Sequence, residues 1–303
     1  MPLVLNTDYN NLRSRINDVM GVTANGYGQT LNATTNVLGN YAVNTTSTSK
    51  ITAQQWNNLY IDMIRARVHQ NASFVQQSLW TGNYAVNTTN TDKVLTVDLT
   101  YLQTLMTTIE NNRYVLDLVN QASITVLKTQ QFIAWNGLRT FTVTATFASA
   151  AARSYFFNSG SRIRFSITNN YVGADVKTNE WITMFNQMGN VTFNYTETFS
   201  ENSSGTGSLI GNADLTTTNQ LLYTRAASTY TGNVINIRGR ATTATVLVFD
   251  VEINDANTVI APRVDENVLG TTTVSASMVR ANGTVTIGVT PYNTVVVTGP
   301  TAA

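Results

Sequence analysis

The sequence predicts an α+β protein with more than one domain. A small helical repeat region over residues 1–130 precedes a mainly antiparallel, β-sandwich-like domain over residues 131–303. Three observations support this prediction. A twelve-residue segment occurs twice in the first half. The apolar residues that follow each copy recur at three-and-four spacing, as on one face of a helix. From about Gln131 onward, apolar residues instead alternate with Thr, as in strands that bury one face.

The duplicated segment runs from Gly39 to Lys50 and again from Gly82 to Lys93, with ten of its twelve positions identical. Each copy leads into one predicted helix. The first helix contains Tyr9-Asn-Asn-Leu12, which resembles Trp56-Asn-Asn-Leu59 in the second. We therefore expect three related units, each an extended connector followed by a helix. Three unequal copies at a period of about 43 to 47 residues are too few for a solenoid.

Capping residues and apolar stripes define the three N-terminal helices. Their predicted ranges are Asn6–Met20, Thr52–Gln70 and Thr96–Asn111. The residues predicted to face inward are Tyr9, Leu12, Ile16, Val19, Trp56, Leu59, Met63, Ala66, Leu99, Leu102, Met106 and Ile109. We expect Tyr9, Trp56 and Tyr101 at equivalent positions of the three units, as candidates for an interface. Tyr114–Val119 fits a continuation of the third helix or a strand, and the pattern does not distinguish them.

The second half is predicted to consist of short strands with one inserted helix near residues 178–188, ended by Gly189. Asn158-Ser159-Gly160 indicates a hairpin turn between a strand at Arg153–Phe157 and another at Ser161–Thr168. Ser200–Gly211 has the composition of a flexible loop. The other predicted strands are Leu138–Phe147, Val191–Phe199, Val234–Arg238, Thr243–Asn254, Thr258–Pro262, Thr271–Met278, Thr284–Val289 and Thr294–Thr298.

Composition narrows the class of protein. Only 12% of the residues are charged, against roughly 25% in an ordinary soluble domain, which favours a subunit that is packed in an assembly. The net charge of +1 argues against nucleic acid as the main partner. The absence of cysteine excludes disulfides and thiol chemistry. No apolar run reaches the length of a membrane span, the polar N-terminus predicts no secretory signal, and no motif calls for a cofactor.

Candidate catalytic and metal-binding residues each have a simpler explanation. His69 is the only histidine, so a Ser-His-Asp triad would need it, yet it falls in the last turn of a predicted helix, where a cation suits the helix dipole. Asp250, Glu252 and Asp255 could bind calcium, but they alternate with apolar residues as on a strand with one solvated face. Gly205-Thr-Gly-Ser208 lacks the Gly-Lys-Ser/Thr of a phosphate-binding loop.

Two further sets of residues remain as candidates for binding. Arg162 and Arg164 share one face of a predicted strand, as do Arg238 and Arg240, and either pair could meet a sugar acid or a phosphate. Such pairs more often face solvent or a neighbouring subunit. Trp80 and Trp135 lie where one element leads into the next, so an exposed ring there could stack on a sugar or a partner. A position in the core or at a domain junction is the alternative.

Four motifs occur in order along the chain: Gly26-Tyr-Gly-Gln29, Ile51-Thr-Ala-Gln-Gln-Trp-Asn-Asn-Leu59, Ala152-Arg-Ser-Tyr-Phe-Phe-Asn-Ser-Gly160 and Trp181-Ile-Thr-Met-Phe-Asn-Gln-Met-Gly189. Together they resemble a family of virion structural proteins of T4-like marine myoviruses, notably cyanophages. The likeness extends to about Phe199. Ser161 departs from the second Gly of the family pattern, and the last hundred residues match no motif.

The resemblance implies a non-enzymatic component of a bacteriophage virion, assembled in the host cytoplasm. A helical first part and a Thr-rich β part are more typical of a tail, baseplate or neck fibre or adaptor than of a capsid shell. The expected partners are other virion proteins and copies of the same chain, with a homotrimer as the expected oligomer. We expect the helical part to dock and the β part to form the outer body.

Three alternatives stay open at this point. One is a capsid decoration protein, and a second is a carbohydrate-binding receptor protein that recognises a glycan of the host surface. The third is a glycan-cleaving enzyme, which needs a pair of carboxylates. Asp250 and Glu252 are the one pair that points the same way along a strand.

Overall fold

A computed structural model describes residues 6–29, 51, 53–75, 96–122, 124–256, 267–281 and 296–298. Five α-helices lie in these ranges, together with eleven strands in two antiparallel sheets, so the fold is α+β. The helices are α1 (Asn6–Met20), α2 (Ala53–Gln70), α3 (Thr96–Asn111), α4 (Ala150–Asn158) and α5 (Val176–Met188). The chain divides into two compact units. Unit 1 comprises Met1–Ala122, Ser154–Gly160 and Ala281–Tyr292, and unit 2 comprises Ser123–Arg153, Ser161–Arg280 and Asn293–Ala303.

The core of unit 1 is built from the same spacing of buried residues on each of its first three helices. The fourth residue of each helix starts the stripe, and buried residues follow three, seven and ten positions later. The twelve residues are Tyr9, Leu12, Ile16, Val19, Trp56, Leu59, Met63, Ala66, Leu99, Leu102, Met106 and Ile109. All were predicted to face inward, which is confirmed. The residue that corresponds to Tyr9 and Trp56 is Leu99, so the expected equivalence of Tyr101 was wrong.

Two of the sequence motifs meet inside unit 1. The loop from Gly26 to Gln29 folds back on α1, with Tyr27 N donating to Val19 O over 2.7 Å. The Asn158 side-chain amide donates to Ala24 O (2.9 Å) and to Gly26 O (3.2 Å). Gly28 has φ of +77°, and a Cβ at this position would overlap the ring of Tyr155, so only glycine fits here. Both motifs therefore have a packing role.

Unit 2 contains a five-stranded sheet in the order β1-β10-β3-β4-β5 and a six-stranded sheet in the order β11-β2-β9-β8-β7-β6. The first sheet consists of β1 (Thr125–Trp135), β10 (Val268–Val279), β3 (Arg162–Asn169), β4 (Asn190–Phe193) and β5 (Thr198–Ser200). The second consists of β11 (Val296–Thr298), β2 (Gly137–Thr146), β9 (Val246–Asp255), β8 (Val234–Thr243), β7 (Gln220–Ala226) and β6 (Thr206–Gly207).

Aromatic side chains connect the elements of unit 2. Phe249 of β9 contacts Phe165 of β3 and Phe193 of β4, with ring centroids 5.2 and 5.0 Å apart. Trp135, at the end of β1, packs edge-on against Trp181 of α5 at 5.2 Å and donates its indole N–H to Thr272 Oγ1 over 2.8 Å. These contacts bury the central aromatic rings, and such pairs add to the stability that burial provides.

Several local predictions were wrong. Arg153–Phe157 belongs to helix α4, so Gly160, with φ of +86°, follows a helix and does not close a hairpin. Leu118–Asn120 forms a short 3₁₀ helix. The segment Ser200–Gly211, predicted to be a flexible loop, contains the strand β6, and its Ser208 forms an isolated β-bridge with Thr198. The inserted helix near residues 178–188 and its end at Gly189 are confirmed, but the helix begins earlier, at Val176, after the N-cap Asp175, whose carboxylate accepts from Thr178 N.

Some predicted strand and domain boundaries differ from those of the structure, and some predictions concern residues that it does not describe. The segment Val191–Phe199 is split between β4 and β5, whereas β1 and β7 were not predicted. The boundary between the units lies after Ala122 and not after residue 130, and unit 1 also takes in Ser154–Gly160. Both copies of the duplicated segment, Trp80 and the predicted strands at 258–262 and 284–289 lie outside the described residues.

Candidate interaction surfaces

The aromatic residues expected at an interface are placed mainly in the core. Tyr9 and Trp56 are buried in unit 1 and pack edge-on, with ring centroids 5.0 Å apart. Burial raises the pKa of Tyr9 to about 12. Trp135 is buried in unit 2. Tyr101 is the exception, because it is half-buried and meets Tyr60 at 6.5 Å. Tyr9, Trp56 and Trp135 are therefore not available to a partner in this arrangement.

His69 is fully buried in unit 1. Its Nε2 lies 2.7 Å from the carbonyl oxygen of Ser159, which can only accept, so Nε2 carries the proton of the neutral ring. Burial lowers the pKa of His69 to about 4, although the Ser159 carbonyl and the charge of Asp117 act in the other direction. The expectation that His69 is a cation in the last turn of α2 was wrong, and Arg67 is the charged residue of that turn. This histidine links α2 to the Asn158-Ser159-Gly160 motif.

The acidic residues considered for calcium binding or catalysis each meet a basic side chain. Asp250 Oδ2 lies 2.8 Å from Arg240 Nη1, and Glu252 Oε2 lies 3.2 Å from Arg238 Nε. Asp255, predicted on a solvated face, is buried and lies 2.5 Å from Lys177 Nζ. In the described ranges no group of three or more His, Asp and Glu side chains is arranged to hold a metal ion. The positions of Asp250 and Glu252 on β9 are explained by these ion pairs.

The edges of the two sheets differ greatly in length. Three of the four edge strands are short, since β5 and β11 have three residues each and β6 has two. The fourth, β1, has eleven residues. Among the residues that the structure describes, β1 pairs with β10 on one side and with no strand on the other. A long unpaired edge presents a row of backbone N–H and C=O groups that another strand can join.

One face of β1 is also exposed. The register aligns Val126, Thr129, Gln131 and Ile133 with alternate residues of β10, so these four side chains share one face of the sheet. Val126 is 61% exposed and Ile133 is 76% exposed. Thr129 and Gln131, between them, form hydrogen bonds with Ser275 and Thr273 across the strands. The edge thus carries apolar side chains at both ends and uncharged polar ones in the middle.

The two arginine pairs singled out from the sequence differ in their surroundings. On β8, Arg238 and Arg240 each have their own carboxylate, as described above. On β3, Arg164 Nη2 lies 2.6 Å from Glu201 Oε1. Arg162, on the same face, has no carboxylate partner among the described residues, and its Nε is buried without an acceptor. The two guanidinium groups of β3 therefore lie next to one carboxylate, that of Glu201 directly after β5, and only Arg164 is paired with it.

Comparison of the chain with models of protein families, with curated proteins and with solved structures gives no match. Among the helices in the described ranges, none is both long enough and apolar enough to cross a lipid bilayer.

Sequence reasoning missed the most exposed of these surfaces. The segment Thr125–Trp135 contains no turn residues, and its apolar residues do not alternate because the register shifts at both ends, between Val126 and Lys128 and between Ile133 and Trp135. The one signal that could have revealed it is the share of β-branched and aromatic residues, which fill six of its eleven positions and are typical of strands.

Proposed function

We propose that this protein is a non-enzymatic structural subunit of a bacteriophage virion. It serves as a tail, baseplate or neck fibre or adaptor protein that assembles through protein–protein contacts. The observation that carries the proposal is the long edge strand β1, whose outer side pairs with no strand in the part of the chain that the structure describes. An edge of this kind is a liability for a protein that stays monomeric, and natural proteins usually shorten, charge or cover such an edge. In an assembled subunit the same edge is a docking strand.

The chemistry of β1 supports its use in an assembly. It contains no proline and a single charge, Lys128. Six consecutive residues, from Lys128 to Ile133, keep a regular register with β10, so their outward backbone groups are evenly presented. The exposed Val126 and Ile133 add apolar area that a joining strand would cover. The docking element is thus proposed in unit 2, whereas the sequence had suggested the helical part.

The motifs that resemble the virion family also fit a structural role. Tyr27, Trp56, Asn158 and Trp181 come from the four motifs, and each is buried in the core of its unit. Motifs of this kind preserve a fold and supply no reactive group. The proposal includes a helical repeat origin for α1, α2 and α3, supported by their common spacing of buried residues. It also includes a β-sandwich-like packing of the two sheets, supported by the contacts of Phe249.

The proposed partners are neighbouring virion proteins and further copies of this chain in a closed cyclic oligomer, with a trimer as the expected state. The described tryptophans are buried, so none of them presents an exposed ring for stacking on a host glycan. Asp250 and Glu252 hold arginines, which leaves the glycan-cleaving alternative without support. A capsid decoration protein would use the same edge strand, and the location of the chain on the particle distinguishes the two.

The edge strand is tested by a pair of matched double variants. In the first, Thr129→Lys and Gln131→Lys place two charges on the exposed face of β1. In the control, Ser166→Lys and Thr168→Lys place the same charges on the same face and in the same cross-strand rows, but on the central strand β3. We expect the β1 variant to fail to enter particles and the control to enter them at the level of the natural protein. Equal incorporation of both variants would contradict the proposal.

A further inference from the structure

The arginine pair on β3 has an uncompensated charge. Arg162 and Arg164 are two residues apart on one face of the strand, next to a single carboxylate, that of Glu201. Glu201 is already held, because it accepts hydrogen bonds from Thr192 Oγ1 (2.8 Å) and Asn190 Nδ2 (3.0 Å) and pairs with Arg164. It cannot turn to Arg162 without losing these partners. The group formed by Arg162, Arg164 and Glu201 therefore carries one net positive charge.

Arg162 is only partly exposed, and its surroundings disfavour an isolated cation. Burial lowers the pKa of Arg162, and the neighbouring charge of Arg164 lowers it further, while Glu201 acts in the opposite sense. The Nε atoms of both arginines are buried without an acceptor. Unpaired buried donors and like charges both destabilise a fold. A protein that retains such an arrangement gains from a counter-ion that supplies the missing acceptors.

We propose that Arg162 and Arg164 form a binding site for one oxyanion, either inorganic phosphate or the carboxylate of an acidic sugar. Guanidinium groups bind both through paired N–H donors. The ordered carboxylate of Glu201 fixes Arg164, so that Arg162 is the group that meets the anion. Thr192 and Ser277 face the same side of the sheet, but both are buried, so the two guanidinium groups are the donors of the proposed site. The site is independent of β1 and of any place on a virion.

The pair on β8 provides a matched control. Arg238 and Arg240 have the same spacing on a strand, but each has its own carboxylate. Arg162→Gln removes the unpaired charge from the proposed site, and Arg238→Gln removes a paired one. In anion-free buffer we expect Arg162→Gln to raise the midpoint of thermal unfolding, because it removes a destabilising cation. Arg238→Gln should lower the midpoint or leave it unchanged.

The test measures anion binding to the full chain by isothermal titration calorimetry with sodium phosphate and with sodium glucuronate, at an ionic strength held constant with sodium chloride. We expect at least one of these anions to bind with one site per chain. Arg162→Gln should weaken that binding by about tenfold or more, since a charge-assisted hydrogen bond is lost, whereas Arg238→Gln should not change it. Glu201→Gln should strengthen it, because a competing negative charge is removed.

The two probes identify the source of the oxyanion. Binding of phosphate but not glucuronate assigns the site to a phosphate group, and the reverse assigns it to a carboxylate on a sugar. The absence of binding for both anions would overturn the proposal. So would binding that is equally weakened by Arg162→Gln and Arg238→Gln, because it would reflect general charge screening. A lower unfolding midpoint of Arg162→Gln in anion-free buffer would likewise overturn it, since Arg162 would then be a structural residue.

Discussion

Lys177 Nζ lies 2.5 Å from Asp255 Oδ2, and both side chains are buried in unit 2. Lys177 is in the first turn of α5, and Asp255 is the last residue of β9, so this ion pair fixes the helix to the end of the six-stranded sheet. A buried pair of this kind gives little net stability when complete, because the desolvation of both ions offsets their attraction. Loss of one partner is costly, since the other charge stays buried.

Single and double substitutions at this ion pair should therefore differ strongly. We expect Lys177→Met or Asp255→Leu alone to lower the free energy of unfolding by about 3–5 kcal/mol. The double variant, which removes both charges, should lie much closer to the natural protein. Urea unfolding of the four proteins measures the difference. Additive losses in the double variant would show that the two side chains act separately.

The core position of Trp56 predicts a stability effect that an interface residue would not show. Trp56→Ala removes a buried ring that packs against Tyr9, and we expect a loss of about 3–5 kcal/mol in the free energy of unfolding. Tyr101→Ala should cost less, because that ring is only half-buried. Val97→Ala on the exposed face of α3 serves as the control and should stay within about 0.5 kcal/mol of the natural protein. A Trp56→Ala protein that is fully stable but fails to assemble would restore Trp56 as an interface residue.

Buried His69 predicts that unit 1 loses stability in mild acid. Its pKa in the folded protein, about 4, is below the ordinary value near 6.5, so the unfolded chain binds the proton more tightly. Neutral His69 therefore contributes about 3 kcal/mol to the free energy of unfolding. This contribution is complete above about pH 6.5 and is lost as the pH falls toward 4. Urea unfolding followed by circular dichroism at a series of pH values measures this slope. In His69→Gln the slope between pH 6.5 and 5 should disappear, and an unchanged slope would assign it to other groups.

Asn158 connects two of the motifs that suggested a virion family. Its amide donates to the carbonyl oxygens of Ala24 and Gly26, and Asn158→Ala should lower the free energy of unfolding by about 1–3 kcal/mol because both acceptors lose their donor. Asn179→Ala removes an exposed hydrogen bond from the side-chain amide of Asn179 to Gly173 O and is the matched control. Comparable small losses in both variants, measured in urea, would mean that the motif is not a stabilising contact of unit 1.

The helices of unit 1 were predicted well, for a physical reason. The three-and-four spacing over Asn6–Met20 and Thr96–Asn111 reflects a single buried face, and both ranges are confirmed. Burial along one stripe is a local property, so a local pattern reveals it. The equivalence of Tyr101 to Tyr9 was wrong because it relied on aromatic type, whereas helix position makes Leu99 the equivalent residue.

Long-range contacts explain most of the errors. Arg153–Phe157 was predicted as a strand because Asn158-Ser159-Gly160 resembles a hairpin turn, yet it is part of helix α4, where Phe156 and Phe157 are both buried. A segment buried on several sides has no clear period. Asp255 was grouped with Asp250 and Glu252 by its charge, although it lies on the opposite, buried face of β9. Its partner Lys177 is 78 positions earlier in the sequence. The candidate surfaces depend on which strands remain unpaired at a sheet edge, and no local pattern records that.

The most direct test of the proposed function is a cryo-EM map of purified virions released by the source of this sequence. We expect density for the chain at the tail, baseplate or neck, with β1 continued by a strand of a neighbouring subunit. Density in which β1 faces solvent would contradict the edge-strand docking. Absence of the chain from the particle would contradict the proposed function itself.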